Sequence, residues 1–159
     1  MNRNTRISIF SLHLPLLIFS LFINLNQCKS STIPQEISFE NAWIRLVPPS
    51  SEITGAYVKI VNANLEDRLI SAKSSISESV EIHSMIEKDG MMMMRHLENG
   101  IALQAGEISI LRPGGNHLML IGLQKSLSLN DKVLIELEFE KQGRKQITFE
   151  VKEASGMNP

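Results

Sequence analysis

Residues 81–100, EIHSMIEKDGMMMMRHLENG, hold five of the chain's eight methionines and two of its four histidines. Further on, NHLMLIG contains His117 and Met119, two apart, so that on a strand they point the same way. His83 and Met85 repeat that spacing. Thioether sulfur is a poor ligand for hard ions and a good one for Cu(I), and imidazole serves either oxidation state of copper. The bland alternative is real: methionine is an adaptable core filler, and a histidine on such a face is commonly just hydrogen-bonded or half-exposed. What favours chemistry is that both His-x-Met pairs flank turns, where strand ends and loops converge.

The segment EKDG (87–90) carries an Asp-Gly pair suited to a hairpin turn, which predicts antiparallel pairing of 79–86 with 91–97. With a four-residue loop, Ile86 faces Met91, Met85 faces Met92, Ser84 faces Met93 and His83 faces Met94. His83, Met85, Met92 and Met94 then share one side of the hairpin. Met91 and Met93 fall on the other side and read as core. Parity puts His96 on the side of His83, but it is left outside the ligand set.

The elements that must hold these residues are written in period two. ISFENAWIRLV, GAYVKIVN, RLISAKS, SVEIHSMI, MMMMRHL, ISILRPG, HLMLIGL, KVLIELEFE and KQITFEVK are short runs rich in β-branched and apolar residues. Turn-formers such as PPSS, NANLED, ENG, PGGN, SLND and KQGR separate them. No segment carries the i, i+3, i+4, i+7 pattern of a helix long enough to matter. The expectation is an all-β, antiparallel sandwich or small barrel of seven to nine strands, forming a single domain over 37–152. Residues 29–36 read as a tether and 153–159 as a frayed tail. Trp43 and Tyr57 read as core or rim aromatics, and Pro113, Gly114 and Gly115 as the turn that aims His117.

The N-terminus points outside the cytoplasm. Residues 1–28 open with Arg3 and Arg6, contain no acidic residue, run apolar from Ile7 to about Ile23 and end at the only cysteine, Cys28. This is the layout of a secretory signal, with His13, Pro15 and the polar Asn24, Asn26 and Gln27 arguing against a membrane anchor. LNQC resembles the lipobox of bacterial lipoproteins, with Gln27 departing from the small residue usual before the cysteine. That resemblance implies lipidation of Cys28; the alternative is secretion with a free thiol. Beyond residue 28 there are 14 basic and 17 acidic residues, a formal charge of −3 that gives no reason to expect nucleic acid. No cysteine remains there to staple the fold, so burial alone must stabilise it.

The order His83, ten residues, Met94, twenty-two residues, His117, one residue, Met119 closely resembles the H-x10-M-x21-H-x-M signature of the PCuAC periplasmic copper-chaperone family. DGMMMMR, LRPGGNHLMLIGL and NAWIRLVPP followed by GAYVKIVN resemble the family's surrounding motifs, over a span from about Ser38 to Val151. The extra residue in the second spacer fits most simply in the ENG turn around Asn99, where it leaves strand register intact.

The resemblance implies a cupredoxin-like domain that binds one copper, chiefly Cu(I), through His83, Met94, His117 and Met119, with Met85 and Met92 as reserve sulfurs. It implies delivery to a partner, either a cytochrome c oxidase subunit or a second copper chaperone. The location would be the periplasm or cell envelope, lipid-anchored through Cys28, or otherwise secreted. No catalytic triad, paired carboxylates, phosphate loop or Cys-based metal spacing appears, so an enzyme is not expected. A blue-copper site would need a cysteine thiolate, and the only cysteine lies at the tether. The reading of a different class is a copper-independent surface module that uses its methionine face as an adaptable sticky patch.

Overall fold

A computed structural model describes residues 36–62 and 65–154. The signal segment with Cys28, the tether up to residue 35 and the tail from residue 155 lie outside the described residues. Among the described residues the regular elements are ten strands: β1 (Ser38–Arg45), β2 (Ile53–Val61), β3 (Asp67–Ser74), β4 (Ser77–Lys88), β5 (Met91–His96), β6 (Ile101–Leu103), β7 (Ile108–Leu111), β8 (His117–Leu123), β9 (Lys132–Phe139) and β10 (Gly143–Lys152). The short β6 was not anticipated from the sequence. It pairs with β3 and buries Ile101 and Leu103, two apolar residues on a run too brief to show a period.

Seven strands close a barrel in the order β4-β8-β2-β1-β10-β9-β3, the ring being completed by a β3–β4 contact at Ala72 and Val80. Pairing is antiparallel except between β1 and β10, which run parallel from Trp43–Glu150 to Arg45–Lys152. This corrects the expectation of a wholly antiparallel sheet. Alternation fills the interior: in β9, Val133, Ile135, Leu137 and Phe139 point inward, and in β10 Ile147, Phe149 and Val151 do the same. Leu118 and Leu120 of β8, Ile82 of β4 and Ala56, Val58 and Ile60 of β2 complete the wall facing them.

A bulge in β1 decides what lies on the outside near the site. Ile37 and Phe39 face the core, but the register with β2 shifts between Glu40 and Trp43, where Asn41 takes a left-handed φ of 52°. The extra residue inverts the parity, so Ile44 points inward and Trp43 lies on the outer face beside Tyr57.

The β4–β5 hairpin overhangs the barrel. Residues 77–83 of β4 pair with β8, whereas residues 83–88 pair with β5. Asp89 and Gly90 both have positive φ, 53° and 77°, so the turn is a two-residue one of the kind that matches strand twist. The ladder therefore continues through Glu87–Met92 and Lys88–Met91. This corrects the four-residue loop: Met85, not His83, stands opposite Met94, and His83 stands opposite His96. The slip is two positions, so the residues expected on one side remain on that side.

Candidate metal centre

Three neighbouring strands bring the site together on the outer face of the barrel. His83 of β4 is the direct cross-strand partner of His117 of β8 on one side and of His96 of β5 on the other. Their ring centroids are 5.9 Å and 5.4 Å apart respectively. The aromatic row continues through Tyr57, 6.3 Å from His117, to Trp43, 4.4 Å from Tyr57. Because Ile82 is buried among the core residues, alternation obliges His83 and Met85 to face outward.

Hydrogen bonds fix which nitrogen each imidazole offers. His117 Nδ1 lies 2.9 Å from the Gly115 carbonyl oxygen, which can only accept, so Nδ1 carries the proton and Nε2 keeps its lone pair. The turn at Pro113, Gly114 and Gly115 that the sequence assigned to aiming His117 thus does so through one backbone oxygen. His83 Nε2 lies 2.7 Å from Glu81 Oε2, which makes Nε2 the donor and leaves the lone pair on Nδ1. That Nδ1 is buried and has no hydrogen-bond partner. Both histidines therefore have one nitrogen held by an acceptor and the other free, the arrangement that orients metal-ligating imidazoles. Glu81, two residues before His83 and opposite Met119, was missed in the sequence, although the i−2 spacing placed it on the same face.

The sulfurs gather beside these rings. A cavity of about 320 Å³ is lined by Met85, Met94, Met119 and His117, together with Tyr57 and Arg45. His83 is not among its lining residues and reaches the group through its contact with His117. Met92 does not line the cavity either; it stands opposite Glu87 and is 57% exposed. Met91 and Met93 are not core: they are 63% and 46% exposed, because the overhanging hairpin has no barrel interior beneath its reverse face. His96 is exposed at the open edge of the row.

The donor set selects among metals. Among the described residues no group of three or more His, Cys, Asp or Glu side chains converges on a common point. A metal held here must take thioether sulfur, which hard cations refuse and Cu(I) accepts. The buried, unpartnered Nδ1 of His83 fits such a guest, since an orphaned acceptor in the interior is costly unless something binds it.

Two further residues of this wall were not read as functional. Gly55 stands opposite Met119, and a Cβ there would lie 2.6 Å from the Tyr57 hydroxyl, so glycine lets the Tyr57 ring lie across β2. Arg45, two residues after Trp43, also lines the cavity. The W-x-R spacing after the bulge was the available signal, but the bulge itself was invisible.

Comparison with known proteins agrees with this architecture. The copper-bound PCuAC domain from PmoF2 is 25% identical, with a TM-score of 0.62, covering 76% of this chain and 95% of that domain. The solution structure of CuI-DR1885 from Deinococcus radiodurans is 24% identical, with a TM-score of 0.62, covering 79% and 83%. The fold is thus the cupredoxin-like β domain of PCuAC proteins. Among curated proteins, "Putative lipoprotein Lxx21020" of Leifsonia xyli subsp. xyli is 28% identical over 123 residues, 77% of this chain and 73% of that protein. A family model described as "Putative lipoprotein LpqE-like" matches residues 37–151, nearly the whole barrel, and the chain belongs to that LpqE-like family.

Proposed function

We propose that this protein is an extracytoplasmic copper carrier that holds one Cu(I) through His83, Met94, His117 and Met119, with Met85 as an additional sulfur. The observation that carries this reading is a cavity lined by the His117 imidazole and three thioethers, with the His83 ring beside His117 and one nitrogen of each ring held by an acceptor. The copper bound by two structurally similar proteins, the PCuAC domain from PmoF2 and CuI-DR1885, supports it. Met92, exposed at the hairpin's outer end, suits first capture of the ion rather than its final seat.

Exposure also suits release. Met94 is 47% exposed, so an incoming ligand from a partner reaches the metal by replacing one sulfur at a time. The recipient in this reading is a copper-receiving protein of the cell envelope, either a cytochrome c oxidase subunit or a second copper chaperone. The chain acts as a carrier and not as a catalyst. Lipidation of Cys28, left as the first residue when the signal is cleaved just before it, would hold the domain at a membrane through a short tether, in keeping with the lipoprotein description of its family. Cys28→Ala should then release the protein into the soluble fraction without altering copper affinity.

The deciding experiment is an anaerobic Cu(I) titration against a competing chelator, with Zn(II) run in parallel. Stoichiometric Cu(I) binding, far tighter than Zn(II), is expected. Equal or tighter Zn(II) binding, or no Cu(I) binding at all, would sink the proposal and leave the methionine face as a protein-interaction patch.

A further inference from the structure

The cavity beside the methionines is lined by a cation that no acidic side chain among the described residues neutralises. Arg45 lines it, and Arg45 Nε is buried without a hydrogen-bond partner. No acidic residue lines the cavity, and Arg45 takes part in none of the ion pairs among the described residues. The guanidinium carbon lies 5.8 Å from the Tyr57 ring centroid, which attracts the charge but supplies no lone pair to Nε. A buried, charged donor left unmet costs more than a neutral one. The position is nonetheless held firmly from both sides, since Thr54 Oγ1 donates to the Arg45 carbonyl at 2.7 Å and Arg45 is in register with Lys152 of β10.

We infer that Arg45 is an anion-binding site in the wall of this cavity, suited to a single carboxylate. A planar fork of N–H donors matches a planar pair of oxygens, and a cavity of about 320 Å³ admits a group of that size. Tyr57 supplies a second donor. An anion there is also next to Met119 and His117, so it lowers the net positive charge of a cation held by those residues. The carboxylate comes either from a small free acid or from an aspartate or glutamate of a docking protein. The inference does not depend on copper being the cargo, because it is made and tested on the metal-free protein.

The test is a titration of metal-free protein with sodium acetate at constant ionic strength, followed by ¹⁵N–¹H correlation of the arginine Nε–H signals. One such signal, assigned to Arg45 by its absence in Arg45→Lys, should shift saturably together with the amides of Tyr57 and Met119. Arg45→Gln should weaken acetate at least about tenfold, the effect of losing a charge-assisted hydrogen bond. A parallel arm uses the blocked peptide Gly-Asp-Gly. Saturation by acetate alone assigns the site to a free small acid, and saturation by the peptide as well assigns it to a protein side chain. If Arg45→Gln does not fold, Arg45→Lys serves, keeping the charge and losing the Nε donor, and it should also bind acetate more weakly. No saturable shift with either probe, or undiminished affinity in a folded Arg45 variant, overturns the inference.

Discussion

His83 and His117 are direct cross-strand partners, with ring centroids 5.9 Å apart and hydrogen bonds that free Nδ1 on the first and Nε2 on the second. Protons compete with a metal for those nitrogens. Cu(I) affinity should therefore weaken in acid, since a proton and the metal compete for the same imidazole lone pair. His83→Met and His117→Met should each flatten the profile, because thioether sulfur does not titrate. His96→Ala should leave both affinity and slope nearly unchanged. Competition titrations at several pH values measure this, and a slope removed only by His96→Ala would mean that the wrong histidines have been named.

The two sides of the hairpin should behave differently. Met85 and Met94 are opposite one another and line the cavity, whereas Met91 and Met93 are exposed on the reverse face. Met94→Leu and Met85→Leu keep volume and apolarity but remove the sulfur, so they should weaken Cu(I) while leaving the thermal midpoint within a few degrees. Met91→Leu and Met93→Leu should change neither quantity. Equal losses of affinity on both faces would point to nonspecific sulfur binding.

Gly55→Ala tests the wall across from the sulfurs. The added methyl meets the Tyr57 hydroxyl at 2.6 Å, so the Tyr57 ring must swing away from β2. Its contacts with Trp43 and His117 loosen in consequence. The variant should be destabilised by roughly 1–3 kcal/mol, the range for overpacking, with a changed Trp43 emission. Unfolding in urea, read by that emission, checks both.

Two half-buried carboxylates set the direction of acid sensitivity. Hydrogen bonds from Lys132 and Lys152 hold Glu150 below the ordinary value of 4.5. Glu138 is held below it chiefly by the Ser71 hydroxyl, with Arg144 and Lys73 assisting. A carboxyl that is more acidic when folded stabilises the fold above its unfolded pKa, and that contribution disappears as pH falls through the folded value. The thermal midpoint should drop as pH is lowered below about 4.5, and Glu150→Gln should shallow the decline without affecting the midpoint's trend near neutrality. A wild-type midpoint that is level down to acid pH would contradict this.

The sequence by itself determined which residues share a face. Alternation in KVLIELEFE and HLMLIGL marked the inward residues of β9 and β8, and the His-x-Met spacing put His117 with Met119 and His83 with Met85. Side-chain direction in a strand is local, set every second residue by the backbone, so it survives even a wrong register. The two-position error in the hairpin shows this, since it exchanged the partners of Met94 without moving Met94 to the other side. Only the tertiary structure decided what each face meets. Met91 and Met93 alternate as core residues would, yet they are exposed because β5 extends past the barrel rim. The bulge at Asn41 that puts Trp43 on the outer face arises in the pairing of β1 with β2, the parallel closure joins β1 to β10 near the other end of the chain, and Arg45 is seated at a cavity lined from β2, β4, β5 and β8. Long-range pairing is fixed by the packing of the whole barrel, and no window of neighbouring residues carries that information.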